Sequence, residues 1–207
     1  MRIILSILLI AILPGCFLKD SVKLTIFYES YCPDSITFFI DQLGPVWENF
    51  SDAILLDLVP YGFAKQEYKN GHWHFTCQHG EKECIGNILH ACSINELITS
   101  HYQPKYRKLL HLVNCFMESS DQYKSAKKCC KQQKVNYKSI KKCEKSKKGE
   151  NLESGYGNRT NDFIPKIEWV PTAVVNDVFN QDDQDKAMTD LASVICKYIP
   201  YHKHCSN

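Results

Sequence analysis

After residue 13 this 207-residue chain has no apolar run approaching the roughly 20 residues a membrane-spanning helix needs, which excludes stable membrane insertion by any later segment. It has no G-x-x-x-x-G-K phosphate loop and no G-x-S-x-G nucleophile elbow. No pair of carboxylates is placed for acid–base work. A strong net charge is missing too, since 25 Lys and Arg against 23 Asp and Glu leave +2. That balance hides a block: between Lys124 and Lys148 eleven lysines face one acid, Glu144, so the segment carries +10 and the remainder −8. No aromatic interleaving or nucleic-acid motif accompanies the block. It reads as a solvated helical surface, with a partner-binding face as the alternative, and nucleic acid is not expected as a partner.

What is present begins with Arg2 and an uninterrupted apolar run, Ile3 to Leu13, broken by Pro14-Gly15-Cys16. The run is too short to span a bilayer and predicts a secretory signal peptide over residues 1–20, cleaved at about 16–20. Leu13 to Cys16 loosely resembles a bacterial lipidation box, which Pro14 fits poorly. Residues 21–207 are then expected as one domain, secreted or lysosomal, and the last five residues are not an endoplasmic-reticulum retention signal. Eleven cysteines, ten without Cys16, imply a disulfide framework in an exported chain. The sequons at Asn49 and Asn158 are candidate glycosylation sites.

Leu24 to Tyr28 is rich in β-branched and aromatic residues and predicts a buried strand. Ile36, Phe39, Ile40, Leu43, Val46, Trp47 and Phe50 recur at close to 3.6 residues, predicting a helix that Pro45 kinks. Ala53 to Val59 is a second strand, which completes a βαβ unit. Asn70-Gly71 between Gln66–Lys69 and His72–Thr76 signals a type I′ hairpin. A cysteine-rich helical insertion follows at about 77–148, with helices expected over Glu81–Ile98, Tyr102–Met117, Gln122–Gln133 and Tyr137–Lys145. Gly149 to Asn161, rich in Gly and Asn, is expected to be a loop. Val170 to Val175 predicts a strand, Asn176-Asp177 a turn, Val178-Phe179 an antiparallel return, and Asp185–Tyr198 a closing amphipathic helix.

The chemistry centres on Cys32, which follows the first strand and opens the first helix. A thiol at a helix N-terminus faces unpaired N–H groups and the positive end of the helix dipole, which favour a thiolate. Three residues on, where a C-x-x-C pair would place its second thiol, stands Ser35. A second cue is Val170-Pro171-Thr172, a proline at the entry to a late strand. In thioredoxin-like folds the two features face each other, and Pro171 would be a cis proline opposite Cys32. The other reading of Cys32 is a structural half-cystine, since ten cysteines allow five bridges.

Cys77-Gln78-His79-Gly80-Glu81-Lys82-Glu83-Cys84, followed by Asn87 and Cys92, matches C-Q-H-G-x2-E-C-x2-N-x4-C, the signature of the gamma-interferon-inducible lysosomal thiol reductase family. Cys115-Phe116-Met117, Cys129, Cys143, Val59 to Gly62 and Trp169 to Thr172 also resemble family positions, so the resemblance covers nearly the whole mature chain. It implies an α/β, thioredoxin-like sheet carrying the helical insertion, and reduction of protein disulfides at acidic pH without a cofactor. It also implies an active-site pair at Cys32 and Ser35, where this chain departs from the family by lacking the second thiol.

A thiolate attacks a substrate disulfide to give a mixed disulfide, and a second thiol then releases the reduced substrate. Ser35 cannot perform that release. The expected function is therefore exchange through Cys32 alone, with small external thiols completing the cycle on disulfide-containing protein substrates. The alternative is a non-catalytic secreted binding protein that uses the fold as a scaffold, with Lys124 to Lys148 as its contact surface. Eight cysteines that resemble family positions, Cys77, Cys84, Cys92, Cys115, Cys129, Cys143, Cys196 and Cys205, could pair among themselves and leave Cys32 and Cys130. Cys196 with Cys205 and Cys129 with Cys143 are the suggested bridges. Zinc ligation by Cys77, His79, Cys84, His90 and Cys92, with His72 and His74 nearby, is disfavoured in an oxidising compartment; His79 is expected to hydrogen-bond within its motif.

Overall fold

The central strand, β1 (Val22–Tyr28), is buried at every position but Lys23 in the computed structural model, which describes residues 21–98 and 103–205. The expected signal peptide lies outside the described residues. β1 pairs in parallel with β2 (Ile54–Pro60), from Val22 with Ile54 to Tyr28 with Pro60. On its other side it pairs antiparallel with β5 (Thr172–Val175), giving the order β2-β1-β5. Strand residues that are apolar on both faces require cover on both faces, and helices supply it.

The segment joining β1 to β2 is helical but not uniform. α1 (Pro33–Phe38) widens into a π-helical turn, Phe39–Leu43, before α2 (Gly44–Phe50). Pro45 has no N–H to return to the carbonyl four residues earlier, so the expected kink takes the form of this π turn. Phe38, Phe39, Leu43, Val46, Trp47 and Phe50 are buried, which is the face the sequence periodicity marks.

β3 (Lys65–Lys69) and β4 (His72–Thr76) form a separate hairpin, with Asn70 and Gly71 both at positive φ (54° and 81°) as a type I′ turn requires. Helices α3 (Glu81–Ile98), α4 (Gln103–Met117), α5 (Gln122–Gln133) and α6 (Tyr137–Glu144) follow, each within a residue of the expected bounds.

The loop expected over Gly149 to Asn161 is instead a helix, α7 (Lys147–Asn161), capped by the Ser146 side chain, which accepts from Lys148 N. Its glycines are there for close approach rather than for turning. A Cβ at Gly149 would stand 2.7 Å from the Cys143 carbonyl oxygen, and one at Gly157 would stand 2.6 Å from the Tyr61 ring. Glu150 of α7 also docks the hairpin, accepting from Trp73 N at 3.1 Å and meeting His72 Nδ1 at 2.9 Å.

After β5, Asn176 and Asp177 turn at positive φ, and the expected antiparallel return shrinks to a single bridge between Val175 and Val178. α8 (Gln181–Tyr198) starts four residues earlier than expected because Asn180 caps it, accepting from Asp183 N at 2.9 Å. It bends at Asp190, whose backbone is extended (φ −156°).

Four disulfides are present among the described residues. Cys196–Cys205 ties the C-terminal turn to α8, as suggested. The suggested Cys129–Cys143 bridge is not formed: Cys129 pairs with Cys115, joining α4 and α5, and Cys143 pairs with Cys92, joining α3 and α6. The packing of α6 on α3 brings Cys143 to Cys92, a tertiary relation that spacing along the chain does not encode. Cys77–Cys84 closes the turn before α3. Cys32 and Cys130 remain free, both buried.

Candidate active site

Cys32 is the N-cap of α1, with extended backbone (φ −66°, ψ 124°) and Pro33 in the first helical turn. Proline there loses nothing, because its missing N–H would have had no partner within the helix. The Cys32 carbonyl accepts the first helical bond from Ile36 N at 3.0 Å. The residue is only 7% exposed, and its thiol donates to the Val170 carbonyl at 3.8 Å. The Val170–Pro171 peptide is cis. Cys32 and the Pro171 loop therefore meet across the top of the sheet. Ser35 lies on the first turn of α1, wholly buried, and its Oγ accepts from Glu29 N at 3.5 Å.

The loop opposite the thiol is fixed by a buried amide that the sequence did not single out. Gln184 of α8 accepts from Ala173 N at 2.7 Å and donates to the Pro171 carbonyl at 3.0 Å, so one side chain satisfies both sides of Thr172. Thr172 Oγ1 donates to the Trp169 carbonyl at 2.6 Å. Unsatisfied amides buried at this point would each cost about 1–3 kcal/mol, which makes Gln184 a positioning residue for the loop.

The cysteine signature supports the chain just before Cys32 from below. Asn87 Oδ1 accepts from Ser30 N at 2.9 Å, and the Glu83 carbonyl accepts from Ser30 Oγ at 3.2 Å. Gly86 lets α3 come this close: a Cβ there would stand 2.5 Å from Ser30 Oγ. Gln122 of α5 donates from its side chain to the Ser30 carbonyl, and its backbone N donates to Tyr31 Oη at 2.9 Å. The insertion thus grips Ser30 and Tyr31 from two helices. Gly80 turns at positive φ (83°) between the bridged Cys77 and Cys84, while Gln78 is exposed in that turn. Cys92 lies deeper, in its bridge to Cys143.

His79 hydrogen-bonds within its motif and also beyond it. Its backbone N donates to Glu83 Oε1 at 3.1 Å, and Nδ1 is 2.6 Å from Glu83 Oε2. Nδ1 is also 3.4 Å from Oε2 of Glu29, a buried carboxylate three residues before Cys32. Glu29 Oε1 accepts from Phe63 N at 2.7 Å. Burial pushes the Glu29 carboxyl up, the Phe63 N–H pulls it down, the neighbouring Glu83 raises it and His79 lowers it. Glu29, His79 and Glu83 bring three ligand-type atoms within 4.8 Å of one another. The 2.6 Å contact is a hydrogen-bond distance, shorter than the separation of two ligands around one zinc ion, so a hydrogen bond fits this geometry better than a metal. Cys77, Cys84 and Cys92 are bridged, which removes the thiolates from the zinc set.

Deeper still, His90 Nδ1 lies 3.1 Å from Tyr28 Oη, and burial pulls the imidazole down to about 3, with the Gln122 side chain acting in the opposite direction. Glu153 of α7 is completely buried. Desolvation pushes its carboxyl well above the usual range, the Asn87 side chain opposes this, and Glu83 adds to it. Glu29, Gln122, Glu153 and Gln184 are the supporting residues that sequence reading passed over. Glu29 left one signal, a carboxylate ending an otherwise apolar strand. The sequon asparagines Asn49 and Asn158 are both exposed and both helical, on α2 and α7.

A free thiol at the first turn of the βαβ helix, set against a cis proline entering an antiparallel strand, defines the class: a thioredoxin-like α/β fold with a helical insertion. The crystal structure of Chlamydia trachomatis DsbA has this fold, with a TM-score of 0.56 at 14% identity over 84% of each chain. The family model described as gamma interferon inducible lysosomal thiol reductase (GILT) matches residues 23–133. An Anopheles gambiae gamma-interferon-inducible lysosomal thiol reductase-like protein is 32% identical over 89% of this chain and 79% of its own length. The Carassius auratus gamma-interferon-inducible lysosomal thiol reductase is 31% identical over 87% and 69%. The chain belongs to the GILT family.

Proposed function

We propose that this protein is a thiol–disulfide oxidoreductase of the secretory pathway that reduces protein disulfides through Cys32 alone. The observation that carries the reading is the placement of Cys32, a free thiol at a helix start beside a cis proline, while eight other cysteines are bridged. The relatives' names associate this family with thiol reduction in lysosomes, and the proposal includes a cleaved leader over residues 1–20 and one domain beyond it.

The Cys32 thiolate attacks one sulfur of a substrate disulfide. A Cys32–substrate disulfide forms, the substrate S–S bond breaks, and the departing thiolate takes up a proton. Ser35, buried and hydrogen-bonded to Glu29 N, offers no sulfur for the next step. A small external thiol attacks the mixed disulfide and releases the second substrate thiol, and a further small thiol returns Cys32 to its reduced form. The balance is one substrate disulfide and two small thiols giving two substrate thiols and one small-molecule disulfide.

The test is turnover of a protein disulfide at about pH 5 with added cysteine as reductant, a pH at which uncatalysed exchange is slow because few thiols are ionised. Wild type should turn over only with added thiol, Cys32→Ser should be inactive, and Ser35→Cys should be faster. Equal activity in wild type and Cys32→Ser would sink the proposal.

A further inference from the structure

Beside Cys32 runs a groove of about 650 Å³, bounded by α1 and the π turn, the Val170–Pro171 loop and the first half of α8. Such a volume holds several side chains rather than one. Its apolar lining includes Phe38, Trp169, Pro171 and Met188, and its charged lining consists of Asp34, Asp41 and Asp185, with no Lys, Arg or His among the lining residues. All three aspartates are exposed. No described cation forms an ion pair with Asp34, Asp41 or Asp185, and Asp185 accepts from the neutral Gln181 side chain at 2.7 Å. Lys186, next along α8, is held by Asp190 at 3.0 Å. A cleft lined by one sign of charge over low-dielectric walls concentrates the opposite charge.

We infer that this groove takes the polypeptide flanking the substrate's half-cystine and selects segments that carry Lys or Arg. The inference rests on the reading of Cys32 as the exchanging thiol. Val170, whose carbonyl meets the thiol, also lines the groove, so a chain whose sulfur reaches Cys32 lays its neighbouring residues along Asp34, Asp41 and Asp185. Apolar stems of Lys or Arg suit Met188 and Trp169, while their charged ends suit the carboxylates. An acidic flanking segment meets three like charges and is rejected.

Two peptides test this, identical except for two lysines or two glutamates beside a cysteine held as a mixed disulfide with a chromophoric thiol. Release of the chromophore reads attack, and mass spectrometry locates the peptide adduct. At low salt the basic peptide should react about tenfold faster than the acidic one, as expected for electrostatic steering into a charged cleft. The ratio should fall to about twofold at about 1 M salt, where the screening length is near 3 Å. The Asp34→Asn, Asp41→Asn, Asp185→Asn triple variant should bring it to about one at low salt, because the field then lacks its source. Equal wild-type rates with both adducts on Cys32 would overturn the charge selection and leave the proposed function standing. A salt-independent ratio, or one that survives the triple substitution, would also overturn it. No adduct on Cys32 with either peptide would remove the proposed function and this inference together.

Discussion

Single residues buried beneath the Cys32 loop set how the fold responds to pH. Glu153 is completely buried and its carboxyl is pushed well above its ordinary 4.5, chiefly by desolvation. A group raised in this way binds its proton more tightly in the folded chain. Its contribution to stability is complete below the ordinary value and is lost as pH rises through the raised one. Glu153→Gln should therefore raise Tm by several degrees at pH 7 and by little at pH 4, measured by thermal melts at both. His90 acts in the other direction: lowered to about 3 by burial, it supports the fold above 6.5 and loses that support as pH falls toward 3. The slope it creates should persist in the Glu153→Gln variant. A variant less stable than wild type at pH 7 would contradict the buried, protonated state of Glu153. Neither residue announces this role in the sequence. Glu153 sits in a polar, glycine-rich stretch, and only the packing of α7 takes it out of water.

At the scale of elements, most of the architecture was readable because hydrophobic period and turn chemistry agree with tertiary packing. The β1–helix–β2 unit, the Asn70-Gly71 hairpin and helices α3 to α6 all follow local pattern. α7 did not, because Gly149, Gly155, Gly157 and Asn158 read locally as a loop. The structure gives these glycines different environments, and that difference is testable. Gly155 has nothing within 4 Å of a built Cβ, whereas one at Gly157 would meet the Tyr61 ring at 2.6 Å and Gln66 Oε1 at 2.3 Å. Gly155→Ala should stabilise the protein by about 1 kcal/mol through helix propensity. Gly157→Ala should instead destabilise it by about 1–3 kcal/mol, because overpacking exceeds the propensity gain. Chemical denaturation of the two variants reads the signs directly. Stabilisation by Gly157→Ala would show that α7 does not seat as closely on β2 and the hairpin as described. The pairing of Cys92 with Cys143 was hidden for a related reason. Two cysteines 51 residues apart in the chain meet there, on different helices, and spacing alone does not say which helices pack together.

At the scale of the whole molecule, the three bridges at Cys77–Cys84, Cys92–Cys143 and Cys115–Cys129 gather with α3 to α6 in the insertion, which supports the strand end leading to Cys32 without supplying a second thiol to it. Glu29, Asn87, Gln122 and the Glu83–His79 pair hold the loop from below, while Gln184 holds the Pro171 loop from the side. These contacts hold the Cys32 turn and the Pro171 loop in place around the buried Ser35. The position of the thiol was legible from the Cys32 turn and the Cys77 to Cys92 signature. The supporting contacts were not, because they join residues of α3, α5 and α8 with turns far apart in the chain. The central proposal is that Cys32 forms the covalent intermediate and nothing within the chain resolves it. Its most direct test is to mix the reduced-site protein with a peptide disulfide in the absence of small thiol and follow the adduct by non-reducing mass spectrometry. One peptide per chain is expected on Cys32, persisting until cysteine is added, with rapid loss of the adduct in Ser35→Cys. An adduct on Cys130, or a Cys32 adduct that resolves without added thiol, would contradict it.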